Sequence, residues 1–419
     1  MKRKLNLRTG TPVWNAYSAT RVPTERLTRD VKCDVLVVGL GISGAMLVEA
    51  LAAQGLDVIG VDRRGPMLGS TTATTALVQF EIDQPLSQLS RKFGISDAEQ
   101  AWRRSRLAVT NLRGRIEELG IRCDMTGKQS LYLAGNALGP GELRQEAEAR
   151  RGAGIRATYL TPAVLKERFG IARKGAILSH DNLALNPRKL TAGLLVKALE
   201  RKARFYTPVE VTTLSRGPNG VMIETKDGPA ISAKQVVLAT GYELLDLVPS
   251  GTHSIISTYA IATKPQKGAV WPDAAFVWEA SDPYLYMRAT ADGRVICGGE
   301  DEDFVDEKTR DALLSEKTVT IAAKLKVLFP RLDTTAEFAW AGCFGTTTTG
   351  LPYIGELPGL PGVFAVQGYG GNGITFSQIA SEIVTRAIAG GDDTDAKLFA
   401  FGRENLVRKL VDWTGKLVT

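Results

Sequence analysis

Three glycine-rich turns, far apart in the chain, each follow a short apolar run, and this recurrence restricts the fold more than any other feature. The turns are Gly39-Leu40-Gly41-Ile42-Ser43-Gly44, Ala239-Thr240-Gly241 and Gly368-Tyr369-Gly370-Gly371-Asn372-Gly373, and the runs before them are 35–38, 236–238 and 363–366. Continuous apolar runs of this length are the pattern of strands buried on both faces. A glycine turn after such a strand puts bare backbone at the carboxyl edge of a parallel sheet, where dinucleotides bind. Three of them predict one extended cofactor touched by the beginning, middle and end of the chain.

The first turn is the most complete. Residues 34–38 read as a strand, 45–53 as a helix closed by Gln54-Gly55, and 58–61 as a second strand ending on Asp62. In that setting Gly39 permits the tight turn, Gly41 lets a pyrophosphate approach the backbone, and Gly44 lets helix and strand pack closely. The free N–H groups of the helix start, at Ile42 and Ser43, are offered to the phosphates. Asp62 lies eighteen positions past Gly44, close to the ~20 expected of an acid that accepts from the ribose 2′-OH. A carboxylate there repels the 2′-phosphate of NADP, although Arg63 and Arg64 stand alongside, so the turn predicts FAD or NAD.

At 419 residues the chain exceeds the ~250–300 at which a single core stops growing, and two domains are expected. A hydrophobic content of 44% and a mean hydropathy of -0.04 indicate a soluble globular protein. The formal charge of +7 comes from scattered residues such as Arg103-Arg104 and Arg150-Arg151. With no long basic run this is a solvated surface, and no nucleic-acid partner is expected. Cys33, Cys123, Cys297 and Cys343 lack metal spacing, and His180 and His253 each stand alone. Neither a zinc site nor a Ser-His-Asp triad has its parts, and no metal is expected. Three glycines and Glu49 interrupt the apolar stretch 35–53, so no transmembrane segment is expected. The basic start Met1-Lys-Arg-Lys4 has no apolar segment behind it, and the expected location is the cytoplasm.

The remaining elements are interleaved without a clean linker. Ser96-Asp-Ala-Glu99 reads as a capping box opening a helix to about Leu119, Asn186-Pro187 caps another to about Ala203, and 306–329 reads as a helix stopped by Pro330. Strand patterns dominate 257–263, 275–279, 284–289 and 294–298.

The residues 33–44, the Gly69-Ser70 pair, Val236-Val-Leu-Ala-Thr-Gly-Tyr-Glu243, Arg288 with Asp292-Gly293-Arg294 and Gly298-Gly299, Trp340-Ala-Gly342 with Gly350-Leu-Pro-Tyr-Ile-Gly355, and 368–377 resemble, in this order, the FAD-dependent amine and amino-acid oxidoreductases of the D-amino-acid oxidase superfamily. That family includes glycine oxidase, monomeric sarcosine oxidase and gamma-glutamylputrescine oxidoreductase; the Trp-x-Gly-x-x-Gly segment and the amino-terminal lead-in look most similar to the last. The resemblance covers nearly the whole chain and implies an α/β fold in which a Rossmann-type, glutathione-reductase-like FAD-binding domain is interleaved with an α+β substrate domain built on an antiparallel sheet. The expected division is 30–85, 181–241 and 336–395 for the FAD-binding domain and 86–180 with 242–335 for the substrate domain. An amino-terminal arm covers 1–29 and a carboxyl-terminal helix 396–419.

By the same resemblance, Asp62 and Arg63 would meet the adenosine ribose, the Val209 backbone the adenine, and Ser70, Thr71, Thr72 and Thr75 the pyrophosphate and flavin. Ala239, Thr240 and Gly241 would border the cofactor, as would Cys343 and Gly345. Gly370, Gly371, Asn372, Gly373, Ile374 and Thr375 would open a helix whose positive end points at the flavin C2 carbonyl edge. Cys343 falls in register with the cysteine that bonds to the flavin in sarcosine oxidase. Thr71, Thr72 and Ala76, however, stand where that enzyme carries basic residues, so a buried unreactive thiol is the alternative.

The implied chemistry is oxidation of a C–N bond by hydride transfer to flavin N5, with imine hydrolysis afterwards and no obligatory base. The partners are a small-molecule amine or amino acid and either oxygen or another electron acceptor. If 284–288 is one strand, Tyr284, Tyr286 and Arg288 share a face by the period of two and are candidates for the substrate pocket. Phe344 and Thr375 stand where glycine oxidase and sarcosine oxidase carry an arginine and a lysine that grip the substrate carboxylate. That favours an amine without an α-carboxylate, unless Arg288 takes over. The rival readings are a dehydrogenase that passes electrons to a quinone or partner protein, and a non-catalytic flavoprotein that serves as a binding module.

Overall fold

The computed structural model describes residues 5–217, 220–249 and 253–403. Its first sheet brings the three glycine turns together. Val363–Gln367, Ile231–Leu238, Val31–Val38, Val58–Val61 and Arg204–Tyr206 lie side by side in that order, all parallel. The strands before the three turns are therefore immediate neighbours, and all three turns leave the same carboxyl edge. Tyr353–Glu356 closes one edge antiparallel, and the hairpin of Val211–Gly217 and Gly220–Thr225 pairs onto Ile231–Leu238.

The sheet is buried on both faces, which is why its strands read as unbroken apolar runs. Val35 and Val37 face one cluster, with the helices Ile42–Ala53, Pro187–Glu200 and Gly373–Ile388. Leu36 and Val38 face a second, with Val209, Leu244 and Val248. Gly44 sits where the first helix crosses its strand. A Cβ there would lie 1.8 Å from the Gly39 carbonyl oxygen, so nothing larger than glycine permits this packing. Gly39 itself is in the left-handed region, at φ +110.

The second sheet has ten strands. Its path runs Arg8–Gly10, Ala336–Thr347, His253–Thr263, Val295–Glu302, Leu285–Ala289, Phe276–Glu279, Thr126–Leu133, Ala176–Ala184 and Leu77–Val78, with Ala157–Leu160 paired onto Ala176–Ala184. Pairing is antiparallel except between Phe276–Glu279 and Thr126–Leu133. Ala336–Thr347 was expected in the cofactor domain, but it hydrogen-bonds along His253–Thr263 in this second sheet. Leu77–Val78, also placed in the cofactor domain, pairs with Ala176–Ala184. The amino-terminal arm is joined to the same sheet through Arg8–Gly10.

Helix starts follow their caps in two cases and not in a third. The Asn186 side chain accepts from the Arg188 and Lys189 N–H groups ahead of Pro187–Glu200, and Asp306 accepts from the Thr309 N–H ahead of Glu307–Leu328. Ser96 is not a cap. Gly94, at φ +83, ends Leu86–Phe93 and directly precedes Ile95–Glu118, so the turn belongs to the glycine and Ser96 falls inside the helix. Within 396–419 the structure describes 396–403, where Ala396–Leu398 is a 3-10 turn; the rest of the expected terminal helix lies outside the described residues. Among the described residues no helix is long and apolar enough to cross a membrane, and no cluster suited to a metal ion is present.

Candidate functional site

One continuous cavity runs along the carboxyl edge of the first sheet and on beneath the second. At one end it is lined by Asp62, Arg63, Val209, Ala239, Thr240 and Gly241, and in the middle by Gly39, Gly41, Ile42, Ser43, Ser70, Thr71 and Thr75. Cys343, Phe344, Gly370, Gly371, Asn372, Gly373, Ile374 and Tyr286 line it further on. The residues singled out from three distant parts of the sequence therefore share one space. Gly44, Thr72, Gly345, Thr375 and Arg288 do not line it.

At the first end the acid is fixed by backbone. Asp62 accepts from the Leu40 N–H at 2.9 Å through one oxygen, and from the Arg64 and Gly65 N–H groups at 2.7 and 2.9 Å through the other. The Val209 N–H donates to the Asp62 carbonyl at 2.9 Å, which fixes that backbone beside the acid. Both neighbouring arginines are committed: Arg63 and Arg64 pair with Glu243, and Arg64 also donates to the Leu5 carbonyl at 2.8 Å. Arg63 also lies 3.9 Å from Glu210, so the two arginines are shared between two carboxylates and neither is left unpaired for a 2′-phosphate.

In the middle, a Cβ on Gly41 would meet only the Thr71 hydroxyl, at 3.0 Å, so the glycine faces open cavity. The Ile42 N–H donates to Thr71 Oγ1 at 3.0 Å. Ser70 Oγ is buried without a hydrogen-bond partner among the described residues, a state that costs about 1–3 kcal/mol unless a ligand satisfies it. The loop that follows is held from behind by three buried donors. Trp340 Nε1 donates to the Ala73 carbonyl at 2.8 Å, Trp14 Nε1 to that of Thr74 at 2.6 Å, and Arg288 Nη1 to that of Ala76 at 2.6 Å.

The far end is built by the second sheet. Trp278 and Tyr286 are cross-strand partners, and Tyr132 stacks on Trp278 with ring centroids 3.8 Å apart. Gly298, opposite Tyr286, makes room for it, since a Cβ would lie 2.6 Å from the ring. Tyr284 and Tyr286 both line the cavity with centroids 5.6 Å apart, and Tyr286 OH lies 3.3 Å from Thr258 Oγ1. Burial raises both phenols well above the usual tyrosine range, so they stay neutral hydroxyls.

Three expectations are corrected. Arg288 starts on the strand face of Tyr286, but its guanidinium turns away to the Ala76 and Leu185 carbonyls, at 2.6 and 3.0 Å, and lies over Trp14. Thr375 donates to the Gln79 carbonyl at 2.7 Å and is buried in its helix. Gly345 is walled off by His253, whose ring would lie 2.1 Å from a Cβ there. The Gly371 N–H is engaged by the Asp83 carboxylate at 2.7 Å, an anion drawn to the start of a helix, while Gly373 and Ile374 at the head of that helix line the cavity.

Several lining residues were not found in the sequence: Gln79, Glu81 and Asp83, with Trp278, Tyr242 and Tyr369. The signal for the first three was present. In Leu77-Val-Gln-Phe-Glu-Ile-Asp83 the odd positions line the cavity, while Val78, Phe80 and Ile82 are buried in the core, the period-two pattern of an extended segment.

This fold and this cavity define a dinucleotide-binding protein with a second sheet closing over the cavity. Residues 34–387 match the DAO family of FAD dependent oxidoreductases, and the chain belongs to that family. Gamma-glutamylputrescine oxidoreductase of Escherichia coli strain K12 is 25% identical over 393 residues, which cover 91% of this chain and 89% of the relative. The structure of glycine oxidase from Geobacillus kaustophilus superposes with a TM-score of 0.69 at 20% identity, over 87% of this chain and 96% of that one. L-amino acid deaminase from Proteus vulgaris gives 0.73 at 18% identity, over 92% of this chain and 100% of that one. FAD is the cofactor of the family. The glycine-lined stretch at Gly41, the unpartnered Ser70 hydroxyl and the fixed Asp62 carboxylate fit a pyrophosphate and a ribose.

Proposed function

We propose that the protein oxidises a C–N bond of a small amine or amino acid. The observation that carries this reading is the cavity itself, which continues from the dinucleotide end into a chamber walled by Trp278, Tyr284, Tyr286 and Phe344. Bound FAD supplies the hydride acceptor, and the imine product hydrolyses in water. The protein's part is to position and enclose. Asp62 and the Val209 backbone hold the adenosine end, and Gly41, Ser70 and Thr71 admit the pyrophosphate. The donors from Trp14, Trp340 and Arg288 keep the 73–76 loop in place. The aromatic walls exclude water and orient the substrate carbon. The tyrosine hydroxyls, neutral at working pH, donate or accept hydrogen bonds without acting as a strong base.

The electrons pass on to oxygen or another acceptor, and oxygen uptake measured against dye reduction separates the two. A cytoplasmic setting is supported by four buried free cysteines, the usage of a reducing compartment. The deciding experiment is anaerobic titration of the holoprotein with amines, N-methyl amino acids and D-amino acids. Bleaching of the flavin by at least one of them is expected. No bleaching by any would leave a non-catalytic flavoprotein.

A further inference from the structure

Glu81, 2% exposed, lines the cavity with one carboxylate oxygen committed to the Ser130 hydroxyl and the Asn182 amide, while Oε2 has no partner among the described residues. Next to it, Asn372 is 4% exposed. Its Nδ2 donates to the Gln79 and Glu81 carbonyls at 3.2 and 2.9 Å, which leaves Oδ1 without a donor. Asp83, two residues on, is exposed, lines the same cavity, and is held by the Gly371 N–H. Three acceptors thus stand along one strip, and buried acceptors without donors carry a full desolvation cost unless a ligand donates to them.

The counterions are missing. Among the described residues lining the cavity the only arginines or lysines are Arg63 and Arg64, both paired with Glu243 at the nucleotide end. Arg150 acts on Glu81 from behind, but its guanidinium donates to Glu146 at 2.8 Å and stacks over Trp102, so Glu81 shares this one cation with a second buried carboxylate. Trp278, Tyr284 and Tyr286 line the same cavity, and aromatic ring faces attract cations. An α-carboxylate brought here would meet carboxylates and no cation, and would be repelled.

We propose that Glu81, Asp83 and Asn372 Oδ1 recognise a positively charged group of the substrate, so that the substrate is an amine with a second cationic group, a diamine in the simplest case, and not an α-amino acid. This rests on the proposed amine oxidation. An amine gives up hydride from its carbon in the neutral form, so a strip that selects positive charge holds a group other than the reacting nitrogen. Burial raises the Glu81 carboxyl, and its ionised form is favoured by the charge the ligand brings.

The test is an anaerobic titration of the holoprotein with three compounds of one chain length: butane-1,4-diamine, butylamine and 4-aminobutanoate. Either perturbation or bleaching of the flavin spectrum reports occupancy. The diamine is expected to act at a concentration at least tenfold below that of butylamine, with 4-aminobutanoate the weakest. Asp83→Asn and Glu81→Gln are each expected to cut the advantage of the diamine over butylamine to less than threefold. Asp83→Asn alters an exposed carboxylate and keeps the test open if Glu81→Gln does not fold. Equal or better action by 4-aminobutanoate overturns the proposal, as does no effect of any compound, or a tenfold advantage that survives in every variant that folds. A spectrum that shifts in the expected order but never bleaches upholds the recognition and defeats the proposed oxidation.

Discussion

Arg288 Nη1 donates to the carbonyl of Ala76 at 2.6 Å, and Ala76 is one of the non-glycine residues with a left-handed backbone, at φ +56. The bond holds a strained residue directly before the strip that walls the chamber. Burial pushes Arg288 down to about 10, which still leaves it charged at neutral pH. Arg288→Ala strands two buried carbonyls, those of Ala76 and Leu185, and is expected to cost ~2–4 kcal/mol of stability, read as a lower denaturation midpoint. The ratio of activities on acidic and neutral substrates should not move. An unchanged midpoint with an altered ratio would put Arg288 in the substrate site after all.

Two glycines of the same motif separate cofactor binding from folding. A side chain on Gly41 meets only Thr71 Oγ1 and the open cavity, whereas one on Gly44 collides with the Gly39 carbonyl oxygen at 1.8 Å. Gly41→Val is expected to yield a folded protein, with unchanged far-ultraviolet circular dichroism, that loses its flavin on gel filtration. Gly44→Ala should lower expression and thermal stability together, by an amount typical of a forced core overlap, about 1–3 kcal/mol or more. Stoichiometric flavin in Gly41→Val would show that the pyrophosphate does not pass over that residue.

These two cases show which parts of the fold the sequence declares. A parallel sheet buried on both faces leaves contiguous apolar runs, and its ligand-facing turns need glycine, so the convergence of the three turns on one sheet edge and the place of Asp62 were legible. Asn186 and Asp306 were legible because a cap acts within three residues of itself. Ala336–Thr347 was misassigned because a strand's own residues do not say which sheet it joins; that depends on His253–Thr263, some eighty residues earlier. Arg288 was misread for a related reason. The period of two fixes the face from which a side chain leaves, but a long guanidinium ends where buried carbonyls await it. The strip 77–83 carried its signal in plain alternation and was overlooked because it contains no glycine and no known motif.

Cys343 lines the cavity, donates weakly to the Leu7 carbonyl at 3.6 Å, and is pushed up to about 11, chiefly by burial. At neutral pH it is a thiol, and the thiolate is the nucleophile. Arg310 works against burial by its charge and a side-chain hydrogen bond but does not outweigh it, and no basic residue stands at Thr71, Thr72 or Ala76 to add to it. Acid precipitation is therefore expected to release the flavin wholly into the supernatant, and Cys343→Ala should retain as much flavin as the parent. Flavin that stays with the precipitated protein, and is freed by Cys343→Ala, would establish the covalent bond.

Asp301 lies beneath the chamber with both carboxylate oxygens buried; the hydroxyls of Thr258 and Tyr284 approach it, but neither makes a well-formed hydrogen bond to it. Burial, with the like charges of Asp83 and Glu300, raises its carboxyl to about 6. Because the folded value lies above the unfolded one of about 3.9, the native state holds more protons between those values. Asp301 therefore opposes folding increasingly as pH rises from about 4 to about 6, and by a constant amount above that, roughly 1–3 kcal/mol. Asp301→Asn removes the ionisation and keeps the shape. Its melting temperature should exceed that of the parent at pH 8, with the gap shrinking as pH falls from 6.5 to 4. Thermal melts across that range decide it: a gap of the same size at every pH would mean that the substitution changes packing and that Asp301 ionises without strain.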